Sequence, residues 1–127
     1  AYALDPLLPY LKKGWIIWEP ACGEGILAKA LFAKGFAIVA TDIMDNHDFF
    51  AGIMSSYDAI VTNPPYSIKY KWLEHCYKLG KPFALLMPVE ILGAKKAQDL
   101  FAKFGIEIIL MDKRVNFKMP NKGWEGS

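Results

Sequence analysis

Trp15-Ile16-Ile17-Trp18-Glu19-Pro20-Ala21-Cys22-Gly23-Glu24-Gly25 runs from an apolar stretch straight into a glycine turn. Residues 26–34 then continue with helical spacing as far as Gly35. Four large apolar residues in a row read as a strand buried on both faces. Gly23 and Gly25 permit a tight turn, and Gly35 stops the helix. A strand that turns at once into a helix is the first half of a βαβ unit. The second half follows as the apolar run 36–41, a second buried strand that ends at Asp42.

The same alternation recurs on either side. Upstream, Asp5-Pro6 can cap and start a short helix ending near Gly14. Residues 45–57 are ambiguous, with room for one helical turn and a short edge strand. Residues 59–62 read as a strand. Ser67 can cap a helix whose apolar face is Ile68, Trp72, Cys76 and Leu79. Residues 82–87 are strand-like, and 95–104 helical with Leu100, Phe101 and Phe104 inward and Gly105 as stop. A further strand is expected over 106–111, before an unassigned polar tail at 113–127. Apolar strands alternating with helices mean an α/β fold: a parallel sheet covered on both faces. Ligands of such sheets sit at the carboxyl ends of the strands, where Glu19, Asp42 and Asn63 all fall.

The chain has 127 residues, enough for a single domain over 1–127 with a real core. With 54% hydrophobic and 22% charged residues it is globular rather than disordered. No apolar run approaches the ~20 residues of a membrane span, and no signal peptide is visible. The chain opens on Ala1, as a processed or truncated start would. Cys22 and Cys76 make neither a disulfide framework nor a metal spacing, and no metal is expected. Both cysteines are expected as small buried groups in a reducing cytoplasm. The net charge of +2 is unevenly spread. Residues 1–63 carry four lysines against seven acids, and the remainder eleven basic residues against six acids. An acidic half suits a cationic cofactor and a basic half an anionic substrate, although scattered surface charge gives the same count.

Two short motifs carry chemistry. In Asn63-Pro64-Pro65-Tyr66, two prolines end the strand and leave an amide and an aromatic ring at its mouth. Such a pair can stack on a planar nitrogen base and accept hydrogen bonds from its amino group. Asn-Pro and Pro-Pro also simply mark turns. In the first turn, Glu19 and Glu24 flank the glycines. Two carboxylates argue against pyrophosphate and for a ligand carrying an ammonium or sulfonium. Asp42, roughly twenty residues on, stands where an acid can bind both ribose hydroxyls, or where it can cap a loop.

Together these motifs resemble the class I S-adenosylmethionine-dependent methyltransferases, in particular the N6-adenine-specific DNA and RNA branch. The Glu-Pro-Ala-Cys-Gly-Glu-Gly turn is similar to that branch's cofactor motif, Asp42-Ile43 to its second-strand acid, and Asn63-Pro64-Pro65-Tyr66 to its catalytic motif. Order and spacing agree over roughly residues 4–118. The resemblance implies a Rossmann-like, doubly wound, mostly parallel sheet; the sequence departs from the family in being shortened at both ends and in showing no separate target-recognition domain. It implies S-adenosylmethionine as cofactor and nucleic acid as substrate. Glu19, Pro20, Ala21, Cys22, Gly23 and Gly25 would cradle the methionine part, with Glu19 near its ammonium. Asp42 would hold the ribose and Ile43 pack on the adenine. Asp48 and Phe49 would meet the adenine edge and face, although a loop acid beside a core aromatic fits them equally. Within the catalytic set Asn63, Pro64, Pro65 and Tyr66, Asn63 and the Pro64 carbonyl would accept the hydrogens of the target amine, and Tyr66 would stack on its ring. Phe117 would add a second ring, although a surface aromatic in a tail fits it equally; Lys113, Arg114, Lys118 and Lys122 read either as phosphate contacts or as a solvated end. Trp15, Trp18 and Trp72 are expected in the core, and neither His47 nor His75 is given a role.

Two other readings stay open. Asn-Pro-Pro-Tyr enzymes also methylate glutamine amides of proteins, with a glycine-richer first motif than 19–25. A truncated cofactor-binding domain that pairs with another chain would keep the fold without the activity.

Overall fold

In the computed structural model, residues 4–23, 25–42, 48–50 and 56–110 are described. They divide between two compact units, Lys12–Ile106 and Ala1–Leu11 with Glu107–Ser127.

Among its described residues the larger unit holds four strands and three helices. In chain order these are β1 (Ile16–Glu19), α1 (Ile26–Ala33), β2 (Ala37–Ala40), β3 (Ala59–Thr62), α2 (Lys69–Leu79), β4 (Phe83–Leu85) and α3 (Lys95–Phe104). All strand pairs are parallel, in the order β2-β1-β3-β4. The chain therefore winds outward from the centre in both directions, and the strand order reverses between β1 and β3. Right-handed crossovers in opposite directions put α1 and α2 on opposite faces.

Strand pleating separates two sets of core residues. Trp18, Ile60, Val39, Phe83 and Leu85 belong to one phase and pack with Trp72 and Cys76 of α2. Ile17, Ala59 and Val61 belong to the other and are also buried. Burial on both faces explains why β1 and β3 read as unbroken apolar runs.

An aromatic lock fastens α2 to the sheet. Phe49 stacks on Trp72 at 4.1 Å and 11°, and its ring is tilted against Trp18 at 5.3 Å. Tyr57 meets Trp18 from a third side at 5.0 Å. Burying each such ring stabilises the fold by about 1.5–3 kcal/mol, with ~0.5–1.5 more for each well-placed pair. A second cluster, Leu73, Ile91 and Ala97, joins α2 to α3 and to the 3-10 turn Val89–Gly93, with Leu100 and Phe101 packed against it.

Several expectations are corrected. The second strand is not fully buried: among the described residues β2 is an edge strand paired on one side only, and Ala37 and Ala40 are exposed. Ser67 does not cap α2, because the 3-10 turn Tyr66–Ile68 intervenes and Ile68 stands at the cap position without a side-chain bond. Residues 5–14 form no α-helix. Within the smaller unit, residues 4–11 make successive tight turns with a 3-10 turn at Leu8–Tyr10, where Pro9 has no N–H to give an α-helical ladder. Phe104 is half exposed, stacked on Tyr77 at 4.9 Å. Trp15 is only partly buried, with the Lys12 ammonium 5.9 Å from its ring. Residues 106–110 form no strand: their backbone joins no ladder among the described residues, and Ile106, Ile108, Ile109 and Leu110 are exposed.

Stability should follow the aromatic lock rather than surface charge. Trp72→Ala is expected to cost about 3–5 kcal/mol. Asp99→Asn, which breaks the exposed Lys95–Asp99 pair at 2.8 Å, should cost under ~0.5 kcal/mol. Urea unfolding of the two variants checks the contrast, and equal losses would be inconsistent with it.

Candidate functional site

The register defines the site. Glu19 pairs with Ala40 and Trp18 with Ile60, so Asp42 and Asn63 each lie two residues past the level of Glu19. All three stand at the carboxyl edge, on the three adjacent strands around the point where strand order reverses. This crevice is where open parallel sheets bind ligands.

The turn after β1 is tied to the end of β2. The Cys22 N–H donates to the Thr41 carbonyl at 3.0 Å, and the Thr41 N–H donates to the Glu19 carbonyl at 3.0 Å. Trp18 Nε1–H donates to Thr41 Oγ1 at 2.9 Å. Gly23 and Gly25 have φ of +51° and +83°, a left-handed conformation that disfavours any side chain. A Cβ on Gly23 would meet no atom within 4 Å, so the space beside this turn is open. The Gly23 N–H donates to Asp42 Oδ2 at 2.8 Å. Asp42 thus caps the turn from the neighbouring strand.

Glu19 is buried, with 2% of its surface exposed, and the Ala21 N–H donates to its Oε2 at a long 3.3 Å. Burial pushes its carboxyl up from the ordinary 4.5 to about 7. Thr62 Oγ1 lies near enough to temper that rise, short of a well-formed hydrogen bond, and Asp42 adds to it by repulsion.

On β3 the buried polar groups lack partners. Thr62 Oγ1 and Asn63 Oδ1 are both shielded from water and accept no hydrogen bond. Pro64 is buried beside them, whereas Pro65 is exposed. Tyr66 is 41% exposed, and burial of the rest, with Glu90 nearby, raises its phenol above its ordinary range. Val89, beside Glu90 in the turn after β4, is 68% exposed.

Each expected site residue can now be placed. The structure brings Glu19, Pro20, Ala21, Cys22, Gly23, Gly25, Asp42, Asn63, Pro64, Pro65 and Tyr66 to the carboxyl edge. Cys22 is partly exposed in the turn, and only Cys76 is a buried thiol, pushed up to about 12 by burial. Asp48 is exposed and accepts the Phe50 N–H at 2.9 Å. Phe49 is a core ring, stacked on Trp72 and edge-on to His75 at 4.7 Å. Ile43, Glu24, His47, Lys113, Arg114, Phe117, Lys118 and Lys122 lie outside the described residues. Thr62 and Glu90 were not anticipated. A lone hydroxyl in an apolar strand was the available signal for Thr62; Glu90 had only its place just after Pro88.

A separate depression of about 230 Å³ is lined by Phe50, Lys71, Glu74, His75 and Lys78. No edge residue lines it. Burial and Lys78 hold the His75 imidazole below its ordinary range, against the opposing pull of Phe49 and Asp48. Among the described residues, no group of three or more His, Cys, Asp or Glu could hold a metal ion. No described helix is long and apolar enough to cross a membrane.

Glu19 makes stability depend on pH. Its folded-state value lies above its unfolded one, so its contribution is intact below pH 4.5 and is lost as pH rises to about 7. Glu19→Gln should remove up to about 3 kcal/mol of this loss. Urea unfolding of parent and variant at both ends of the range measures it. An equal pH trend in both would remove Glu19 as the cause.

Comparison with protein-family models, curated proteins and solved structures finds no match for this chain, so its function is argued from the chemistry of this edge.

Proposed function

We propose that this chain is an S-adenosylmethionine-dependent methyltransferase of Rossmann-like fold that modifies the N6 amine of adenine in DNA or RNA. The observation that carries the reading is Asn63 Oδ1, a buried acceptor without a partner at the carboxyl end of β3. A buried orphan acceptor costs about 1–3 kcal/mol. An amine donor at that position would relieve the cost and supply the reason for it.

The residues of the first turn fit the cofactor. Open space beside Gly23 allows close approach of a ligand to backbone, and the buried Glu19 suits an ammonium. Asp42 keeps a bond to the Gly23 N–H, so in this reading it both shapes the turn and faces the ribose. When bound, S-adenosylmethionine supplies an electrophilic methyl group.

The chain's own residues prepare the nucleophile. An exocyclic amine has its lone pair drawn into the ring. Asn63 Oδ1 and the Pro64 carbonyl accept its two hydrogens and favour the tetrahedral geometry that frees the pair. This is preorganised electrostatic stabilisation and needs no strong base. The alkylated amine becomes cationic and releases its proton to solvent. Tyr66, half exposed at the rim, stacks on the target ring, which a duplex must flip out. Stacking returns ~1–3 kcal/mol of that cost.

Single-turnover transfer from labelled S-adenosylmethionine to DNA, RNA and protein tests the reading, with mass spectrometry of digested nucleosides naming the product. Asn63→Ala should lower the rate about 10²–10³-fold while cofactor binding persists. Tyr66→Ala should lose transfer and Tyr66→Phe keep most of it. Label in a glutamine side chain would favour the protein substrate, and binding without transfer to any substrate would favour a non-catalytic partner domain.

A further inference from the structure

We propose that this edge takes its ligand as a cation, and that the bound cation displaces one proton from Glu19 to solvent. The inference rests on the cofactor reading above for its choice of ligand and adds the charge and proton balance of binding.

The geometry around Glu19 is that of a carboxyl awaiting a positive partner. It is almost wholly buried, and among the described residues the peptide N–H that reaches it is that of Ala21, at 3.3 Å. Among the described residues no Lys, Arg or His forms an ion pair with it; the ion pair found there is Lys95–Asp99. The charged group that faces it is another acid, Asp42, from the end of β2. From β3 it is met by Thr62, a residue 1% exposed whose Oγ1 has no hydrogen-bond partner. A buried carboxyl beside a buried hydroxyl, with no ion pair to a cation among the described residues, is a site for a donor of positive charge.

Burial keeps the proton on this carboxyl below neutral pH, its value being displaced to about 7. An ammonium or sulfonium placed against it reverses the balance. The opposite charge favours the carboxylate, the O–H bond of Glu19 breaks, and the proton leaves to buffer. The ligand keeps its own charge, so one positive charge enters and one leaves. Below neutrality this links affinity to pH with a slope of one proton.

Calorimetry of the full chain with S-adenosylmethionine, in phosphate and in bis-tris at about pH 6, counts the protons. About 0.9 proton should be released per ligand, and affinity should climb roughly tenfold per pH unit between about 5.5 and 6.5. Glu19→Gln should release fewer than ~0.2 and show a flat profile. Binding without proton release overturns this inference and leaves the cofactor reading standing. Release that persists in Glu19→Gln assigns the proton elsewhere and also overturns it. No binding by the parent in either buffer overturns both. If Glu19→Gln fails to fold, carbon-13 spectra of the parent's glutamate carboxyls decide. A midpoint near 7 that falls on ligand addition supports the inference; its absence overturns it.

Discussion

The ladder on both sides of β1, with Glu19 opposite Ala40 and Trp18 opposite Ile60, sets the level of everything at the carboxyl edge. Parallel pairing sends three chain ends out on the same side. Because β1 lies between β2 and β3, the turns that follow must diverge to opposite faces. The crevice between them is a consequence of connectivity rather than of any one side chain. A slip of one residue in either pairing would turn Trp18 or Ile60 away from α2 and destroy the core together with the site.

That constraint makes polar groups tolerable where they would otherwise destabilise. Glu19 and Thr62 are as buried as the core residues Ile17 and Ile60. Thr62 Oγ1 has no hydrogen-bond partner, whereas Asp42, in the same region, is bonded to the Gly23 N–H. The aromatic lock of Trp18, Phe49, Tyr57 and Trp72 supplies stability on the α2 face. The edge can therefore carry unpaired oxygens without loss of the fold. Stability and chemistry are thus assigned to different parts of the sheet: rings against α2, acceptors at the strand ends.

The departures from sequence expectation have separate causes. Residues 106–110 have the composition of a strand, but composition does not supply a partner, and among the described residues their backbone joins no ladder. Ser67 is a good capping residue in a chain whose preceding prolines impose a 3-10 turn first. Phe49 follows an acid, as a ligand-facing ring would, yet its face is taken by Trp72. Only for Phe49 does a local preference yield to a contact made by a residue distant in the chain.

Periodicity and glycine placement determined the parallel α/β class, the bounds of α3, and the carboxyl-edge location of Glu19, Asp42 and Asn63. These follow from interactions within a few residues: apolar runs that must be buried, and backbone angles that favour glycine. The tertiary structure alone decided the strand order and which strand became an edge. It decided that Asp42 caps the first turn and that Glu19 is driven up by burial beside a second acid. It also decided that the oxygens of Thr62 and Asn63 are left without partners. Burial and hydrogen-bond satisfaction depend on which distant segments meet, and a sequence pattern does not contain that pairing.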